Sequence, residues 1–209
     1  MTANVKLVVG LGNPGSRYQP TRHNAGVWFV EQLAKAYDGQ FRHHSKFHGD
    51  VAEIVIGTSP LKLLRPDTFM NESGRSVGAF ASFYKIPAEQ ILIAYDELDL
   101  DPGVVKLRRG GGGSHNGIRD VIKAIGRDFL RLRLGIGHPG HKSQVTNYVL
   151  GRADANDQAE MDDAVEDSVR MMPRLLAEGE ERARTWLHSR KSTNKPYKKK
   201  PAADASDGD

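Results

Sequence analysis

The sequence predicts a single α/β domain in which a mixed, largely parallel twisted sheet carries helices on both faces. Strand-like apolar runs alternate along the chain with segments in which apolar residues recur every three or four positions, a pattern typical of strand–helix–strand folds. Three polar or glycine-rich loops each follow a strand-like run. Because sites in such folds lie at the carboxyl ends of the strands, we expect the functional groups in these loops.

The predicted strands are short runs rich in β-branched and aliphatic residues. They occupy residues 6–9, 47–56, 62–64, 91–95, 104–108 and 129–136. The last run alternates most clearly, since its leucines face one side whereas Arg131 and Arg133 face the other. One side of this strand is therefore expected to lie on the core.

The predicted helices follow from apolar stripes with helical spacing. They begin near Ala25, after the loop at 66–74, after the glycine loop at 110–117, and near Asp157. Asn71 or Ser73 is expected to cap the second helix, because both residue types favour that position. Pro173 is expected to kink or split the fourth helix, because its ring removes a backbone donor.

Composition limits the class of protein. The 209 residues suffice for one domain with a substantial core. The absence of Cys excludes disulfides, thiol nucleophiles and thiolate metal sites. No signal peptide or long apolar run is visible, so a cytoplasmic protein without a membrane partner is expected. Almost nothing apolar follows Arg190, which predicts a folded domain over residues 1–190 and a disordered, charged tail over 191–209.

The net charge of +4 is concentrated in two stretches. Residues 106–142 hold nine Lys or Arg against two Asp, and residues 190–209 hold six against three. The remaining residues are net negative. Concentrated positive charge is typical of proteins that bind a polyanion such as RNA, although a solvated charged surface is the ordinary alternative for a single run.

The most informative stretch is residues 8–26, where a strand leads into a glycine-rich turn and then a helix. Gly10-x-Gly12-x-x-Gly15 matches a dinucleotide-binding fingerprint. That interpretation needs a helix that opens within the glycines, with its N-terminus on a pyrophosphate. However, Pro14 and Pro20 interrupt the turn, and helical spacing resumes only near Ala25. A nucleotide-binding oxidoreductase remains an alternative.

His23 and Asp96 are the candidate acid–base pair. The first lies at a helix start and the second directly after a buried strand, where each also has an ordinary interpretation as a cap or turn residue. Together they match a general base, because an imidazole oriented by a carboxylate can take a proton from water. The helix dipole would lower the pKa of His23 and Asp96 would raise it, and the sequence leaves that balance open. No Gly-x-Ser-x-Gly motif is present, so direct attack by water is the simpler scheme.

Three amides lie in or beside the loops that follow strands: Asn13, Asn71 and Asn116. Asn in a loop usually belongs to a turn. Three amides in one cleft would suit ester and amide carbonyls or ribose hydroxyls, and one could stabilise an oxyanion. A metal is not expected, because the histidine cluster at residues 43–48 lacks the spacing of zinc ligands.

Several blocks of the sequence resemble the bacterial peptidyl-tRNA hydrolase family, in the family's order. They are Gly10-Leu11-Gly12-Asn13-Pro14-Gly15, Tyr18, Thr21-Arg22-His23-Asn24, and residues 66–74, 96–100, 110–117 and 131–140. The resemblance spans nearly all of residues 5–190. It implies a monomeric enzyme without metal or cofactor. Such an enzyme hydrolyses the ester between a peptide and the 3′ ribose of tRNA, and so recycles peptidyl-tRNA dropped from ribosomes.

The resemblance also implies roles for single residues. His23 would be the general base and Asp96 its partner, and Asn13 would recognise the peptide and exclude free aminoacyl-tRNA. Five further residues would line the substrate channel: Tyr18, Phe69, Met70, Asn71 and Asn116. Arg108 and Arg133 would hold tRNA phosphate.

Three positions depart from the family's pattern: Phe69 stands where Tyr is frequent, Arg108 where Lys is common, and Ser114 where a loop glycine is usual. None of these changes removes a catalytic group. Phe69 lacks a hydroxyl, and Arg contacts phosphate with a different geometry from Lys. A non-catalytic RNA-binding module is the second alternative to the hydrolase.

Overall fold

The computed structural model describes residues 4–190, and these contain one seven-stranded sheet. Its strands are β1 (Leu7–Gly10), β2 (Arg42–His44), β3 (Gly49–Ile56), β4 (Ser59–Pro66), β5 (Ile91–Glu97), β6 (Val105–Arg109) and β7 (Leu130–Gly135). They lie side by side in the order β2-β3-β4-β1-β5-β7-β6. The four central strands are parallel, and antiparallel pairs complete both edges. The predicted mixed, largely parallel sheet is confirmed.

Helices cover both faces of the sheet, as the sequence predicts. They are α1 (Ala25–Ala36), α2 (Ser73–Tyr84), α3 (Asn116–Ile125), α4 (Val145–Val149), α5 (Ala155–Glu178) and α6 (Glu180–His188). Buried residues of α1, α5 and α6 share one apolar cluster with Val8 of β1, whereas those of α2 and α3 share another with Val9. Since neighbouring residues of a strand point to opposite faces, each face of the sheet has its own core.

The alternation predicted for β7 is confirmed. Its leucines join the core beneath α5 and α6, whereas Arg131 and Arg133 lie on the other face. Arg131 is nevertheless only 2% exposed. A buried guanidinium needs several hydrogen-bond acceptors around it, and the loop that supplies them is described with the site.

The predicted side-chain cap of α2 and the predicted split of the fourth helix are wrong. Neither Asn71 nor Ser73 caps α2 with its side chain, because a 3₁₀ turn at Met70–Glu72 precedes the helix. The hydroxyl of Ser73 instead donates to the carbonyl of Met70 at 2.7 Å. Helix α5 is not split, since it continues through Pro173 to Glu178. Its buried residues on both sides of the proline keep it packed on the sheet, and such packing supplies most of a helix's stability in a folded protein.

The sequence reasoning missed three elements, β2, α4 and α6, and misplaced the starts of β3 and β4. β2 and α4 are too short to show a periodicity. β3 begins at Gly49 rather than at residue 47, because Phe47 closes a 3₁₀ turn and packs beneath α2. β2 extends one edge of the sheet, and α4 forms a wall of the cleft described below.

Close contact between α1 and the sheet explains two of the glycines. A Cβ on Gly26 would lie 2.3 Å from the carbonyl oxygen of Ala94, and one on Gly10 would lie 2.3 Å from that of Gly26. Only glycine permits backbones to approach this closely. Helix α1 begins at Ala25, well after Gly15. The glycine turn therefore lacks the helix N-terminus that the dinucleotide hypothesis requires.

The predicted disordered tail, residues 191–209, lies outside the described residues, so it stays a prediction. Within the described chain, every helix is either too short or too polar to span a bilayer.

Candidate active site

A cleft of about 380 Å³ opens at the carboxyl ends of β1, β4 and β5. Eight of the predicted site residues line it: Asn13, Tyr18, His23, Phe69, Met70, Asn71, Asp96 and Asn116. They come from loops and strand ends that are distant in sequence. β1 lies between β4 and β5 and is parallel to both, so the segments that follow these three strands meet at the carboxyl end of the sheet.

His23 and Asp96 meet in this cleft. His23 belongs to a 3₁₀ turn (Arg22–Asn24) before α1, and Asp96 is the penultimate residue of β5. Nδ1 of His23 lies 2.8 Å from Oδ2 of Asp96, whose side chain is 1% exposed. Because an ionised carboxylate only accepts hydrogen bonds, Nδ1 carries the proton. The Nε2 lone pair of the neutral imidazole is then available to a molecule in the cleft.

A second histidine, His115, also binds Asp96, and the sequence reasoning gave it no role. Its Nε2 lies 2.7 Å from Oδ1 of Asp96, and its Nδ1 accepts from the backbone N–H of Ile118 at 3.3 Å. His115 therefore caps α3 and donates Nε2–H to the carboxylate as a neutral ring. Its sequence signals were its place beside Asn116 at a helix start and its inclusion in the family-like block at residues 110–117.

The two imidazoles decide the protonation of Asp96. Burial alone would raise the pKa of this carboxyl, but His23 and His115 hold the pKa well below its ordinary value. For His23, burial lowers the pKa, whereas the charge and hydrogen bond of Asp96 raise it, and the net pKa lies above the ordinary value. The balance that the sequence left open is thus decided by the carboxylate, which stabilises the imidazolium form.

The same three side chains are also the one group of potential metal ligands found among the described residues. Their facing atoms lie within 4.8 Å of one another. Nδ1 of His23 and Nε2 of His115 already bind the Asp96 carboxylate at hydrogen-bond distance. Nδ1 of His115 accepts from the backbone N–H of Ile118. Hydrogen bonds therefore account for the cluster without a cation.

Asn13 joins the loop after β1 to the loop after β4. Its backbone exchanges two hydrogen bonds with the side chain of Asn24, at 2.9 and 3.0 Å. Its own Oδ1 accepts from the backbone N–H of Met70 at 2.7 Å. Because these bonds fix the side-chain amide and use its oxygen, Nδ2 is the group left to donate to a ligand.

The remaining predicted channel residues have different exposures. Met70 is buried and packs against the start of α3, since a Cβ on Gly117 would lie 2.6 Å from its sulfur. Tyr18 and Phe69 meet edge to face with ring centroids 6.2 Å apart, and Phe69 is 52% exposed. Asn71 is also exposed. Thus Met70 supports the floor, whereas the aromatic rings and the amides offer surfaces to a ligand.

Arg108 and Arg133 do not line the cleft. They lie on the same face of the β6–β7 edge, beyond the glycine loop. Nε of Arg133 donates to Glu97 at 2.9 Å, and although burial lowers the pKa of Arg133, this carboxylate raises it above its ordinary value. Arg108 is exposed beside Gly111. Both cations lie on the β7 side of the cleft, with Arg133 in register with Tyr95 of β5 and Arg108 opposite Arg131, further from the carboxyl end of β5.

Arg131, which sequence reasoning left unassigned, holds the glycine loop next to the cleft. Its guanidinium donates to the carbonyls of Gly111 and Gly112 and lies 4.8 Å from the centre of the Phe129 ring. Burial lowers the pKa of Arg131. These bonds fix the loop that precedes His115.

Arg22 ties the turn of His23 to the opposite wall of the cleft. It is 8% exposed, and Nη1 donates to the carbonyls of Arg152 at 2.8 Å and Tyr148 at 3.2 Å. Its guanidinium also lies 4.0 Å from the centre of the Tyr148 ring. That wall is α4 with its flanking residue, which contribute Val145, Thr146, Val149 and Leu150 to the cleft. The positions of α4 and His23 are therefore coupled.

Comparisons with known proteins agree with this geometry. The sequence profile described as peptidyl-tRNA hydrolase matches residues 7–195. A peptidyl-tRNA hydrolase of Pseudoalteromonas translucida is 50% identical over 189 residues, which cover 89% of this chain and 97% of that protein. One from Halorhodospira halophila is 50% identical over 186 residues, or 88% of this chain and 96% of that protein.

Solved structures agree as well. The crystal structure of peptidyl-tRNA hydrolase from Acinetobacter baumannii superposes with a TM-score of 0.88 at 48% identity, covering 92% of this chain and 98% of that one. A peptidyl-tRNA hydrolase in complex with N-propanol superposes with a TM-score of 0.87 at 49% identity, covering 90% of this chain and 97% of that one. Sequence and structure agree over nearly the full length of the relatives, so this chain belongs to the peptidyl-tRNA hydrolase family.

Proposed function

We propose that this protein hydrolyses the ester bond between a peptide and the 3′ ribose of tRNA. The observation that carries the proposal is the His23 imidazole, oriented by the buried Asp96 carboxylate within a cleft lined by three asparagines. An oriented imidazole is a general base for water. Membership of the family supplies the substrate.

The reaction begins with a water molecule bound to Nε2 of His23. The imidazole removes a proton as the water oxygen attacks the ester carbonyl, and a tetrahedral oxyanion forms. When this intermediate collapses, the bond to the 3′ ribose oxygen breaks, and the imidazolium returns its proton to that oxygen. The products are a peptide with a free carboxyl group and a tRNA with a free 3′ ribose hydroxyl, and His23 is restored.

Asp96 contributes to this scheme through charge and orientation. It holds Nδ1–H of His23, so that Nε2 has the lone pair. It also stabilises the imidazolium that forms during attack, since a carboxylate at hydrogen-bond distance favours the charged ring. His115 donates to the second oxygen of Asp96. This bond prevents the carboxylate from rotating away from His23.

The asparagines provide recognition of the acyl group. Nδ2 of Asn13 is positioned to donate to the carbonyl that blocks the amino group of a peptidyl residue. A free aminoacyl-tRNA instead presents an ammonium, whose hydrogen atoms would face another donor and lose their hydration. Asn71 and Asn116 would form hydrogen bonds with the ester carbonyl, its oxyanion or the ribose hydroxyls. The exposed rings of Tyr18 and Phe69 would cover the substrate.

The tRNA would approach from the β7 side of the cleft, where Arg108 and Arg133 offer two cations. Contacts to phosphate do not read sequence, which suits an enzyme that accepts many tRNAs. Arg133 would exchange Glu97 for phosphate in doing so, since these side chains are paired in the free protein.

We also propose that the enzyme works as a cytoplasmic monomer without a cofactor. Every group in the scheme comes from one chain, and the cleft needs no second subunit to be lined. Its substrate arises where ribosomes release unfinished peptidyl-tRNA, which places the reaction in the cytoplasm.

Replacing His23 by Ala tests the proposal. We expect release of N-acetyl-amino acid from N-acetyl-aminoacyl-tRNA to fall by at least about 10²-fold, the lower end of general-base effects. Melting temperature and tRNA affinity should stay close to those of the parent. His141→Ala, which changes an exposed loop histidine, is the control.

Activity of His23→Ala within ten-fold of the parent would reject His23 as the base. A parent that binds tRNA without cleaving the ester would favour the RNA-binding module. Protection of the parent from melting by NAD or NADP would favour the oxidoreductase.

A further inference from the structure

A second groove, which the reaction scheme does not use, adjoins the active cleft. It has a volume of about 290 Å³. Its wall includes Pro14, His43, His48, Asp67, Thr68 and Arg75. Phe69 lines both the groove and the active cleft. Because Pro14 directly follows Asn13, the two spaces meet at the pair of loops that Asn13 joins.

We infer that this groove binds the residues of the peptide that precede the ester-linked residue. The inference rests on the proposed function and adds a subsite to it. The occupant is the substrate's own peptide chain, extended away from the tRNA.

The order of strands gives the direction of that chain. Arg108 and Arg133 lie at the β6–β7 edge, and Asp96 is the penultimate residue of β5. Asn13 follows β1 and Phe69 follows β4. The groove lies further along the same line, where β2 and β3 meet the end of β4. Since the tRNA and the peptide leave the ester on opposite sides, a tRNA held at β7 directs the peptide toward β4 and β3.

Phe69 forms the passage between the two spaces. Its ring is 52% exposed and touches Tyr18 edge to face. The backbone beside it is held in place, because the N–H of Met70 donates to Oδ1 of Asn13 at 2.7 Å. A peptide that crosses the exposed ring would bury apolar surface at a rigid position.

Thr68 supplies an independent reason to expect a ligand. It is 7% exposed, and its buried hydroxyl has no hydrogen-bond partner within residues 4–190. Leaving a buried hydroxyl unpaired is unfavourable, and polar groups of this kind are normally satisfied in a folded protein. If the Thr68 side chain rotates toward the groove, an N–H or C=O group of a bound peptide would provide the missing partner.

The groove also carries charged side chains of both signs. Asp67, Glu72 and Arg75 line the groove, and none of them forms an ion pair with another described residue. They are therefore available to varied side chains of the substrate. Such a subsite would bind the peptide backbone and tolerate many sequences.

Two substrates of different length test the inference. One is N-acetyl-aminoacyl-tRNA, which ends before the groove, and the other carries a tetrapeptide with the same ester-linked residue. Ser45→Trp places a large ring in the groove, since exposed Ser45 lines it. We expect the KM of the longer substrate to rise at least ten-fold and that of the shorter to stay within two-fold.

Thr68→Val is the milder variant, because it removes the unpaired hydroxyl and keeps the shape of the side chain. We expect its KM for the longer substrate to rise about five-fold, the equivalent of one neutral hydrogen bond, with normal thermal stability. Ser82→Trp, an exposed position elsewhere on α2, is the matched control for Ser45→Trp and should affect neither substrate.

The inference is overturned if Ser45→Trp changes both substrates by the same factor or changes neither. It is also overturned if Thr68→Val leaves the KM of the longer substrate unchanged. Failure of the parent to cleave the shorter substrate would contradict the proposed function instead, so the two failures are distinguishable.

Discussion

Nδ1 of His23 lies 2.8 Å from Oδ2 of Asp96, although 73 positions separate them in the chain. The pairing of β1 with β5 brings them together, because it places the turn after β1 beside the end of β5. The bond leaves Nε2 of His23 available to a molecule in the cleft and raises the pKa of the ring. The pH dependence of the reaction should therefore report on Asp96.

Asp96→Asn should lower the turnover number by a factor in the hundreds, within the range of about 10²–10⁴ for acid–base catalysis. The base must be neutral, so kcat/KM of the parent falls as the pH drops through the raised pKa of His23. Without the carboxylate, burial is left to lower the pKa of His23. The fall of kcat/KM on the acid side of the profile should therefore move to lower pH. Profiles of kcat/KM against pH measure both effects.

Asp99→Asn is the control for this variant, because it removes an exposed carboxylate from the loop that follows β5. An Asp96→Asn enzyme with a raised KM alone and the parent's pH profile would show that Asp96 does not act through His23.

His115→Ala should lower kcat by about 10- to 100-fold, the equivalent of one hydrogen bond to a charged group. The substitution leaves Oδ1 of Asp96 without its donor, so the carboxylate is less firmly oriented toward His23. His115→Gln should recover part of the loss, since its amide can donate to the same oxygen. Single-turnover rates of ester cleavage measure the change, with His141→Ala for comparison. Full activity of His115→Ala would remove His115 from the mechanism.

Arg108→Gln and Arg133→Gln should each raise KM and reduce its dependence on salt. If each arginine binds one phosphate, its removal should make the slope of log K against log salt shallower by about 0.7–0.9. Arg133 should have the smaller effect on KM, because it exchanges Glu97 for phosphate. KM over a range of salt concentrations measures the slopes. Arg170→Gln, an exposed arginine on α5, should change neither, and unaltered slopes in the two variants would place the tRNA surface elsewhere.

His188→Gln should reduce the loss of stability in mild acid. Nε2 of His188 accepts from the backbone N–H of Leu107 at 3.1 Å. Burial and the nearby cations Lys106 and Arg184 lower the pKa of His188 to about 4. Since the unfolded chain titrates near 6.5, it binds more protons than the folded protein between these values. Stability from this residue is thus present above pH about 6.5 and is lost as pH falls toward about 4.

Glutamine can accept the same hydrogen bond and does not titrate. Denaturant unfolding of the parent and of His188→Gln at several pH values in this window measures the difference. Equal losses of stability in the two proteins would contradict the role of His188.

Much of the candidate site was visible in the sequence because its residues stand in short local patterns. Asn13, His23 and Asp96 each come after an apolar, strand-like run of the sequence, and the sites of α/β sheets lie at strand ends. Eight of the ten predicted residues line one cleft. The role of His115 was not predicted, because its partner Asp96 lies in another segment and its position at a helix start also suits an ordinary cap.

By itself, the sequence determined the alternation of strands and helices, the loops that carry polar groups, and the motifs shared with the family. These features are local, since periodicity and turn chemistry depend on neighbours in the chain. Only the tertiary structure decided which groups touch: the second imidazole on Asp96, the pairing of Arg133 with Glu97, and the contact of Arg22 with Tyr148 near the end of α4. Such contacts depend on strand order and close packing between distant segments, which no local pattern specifies.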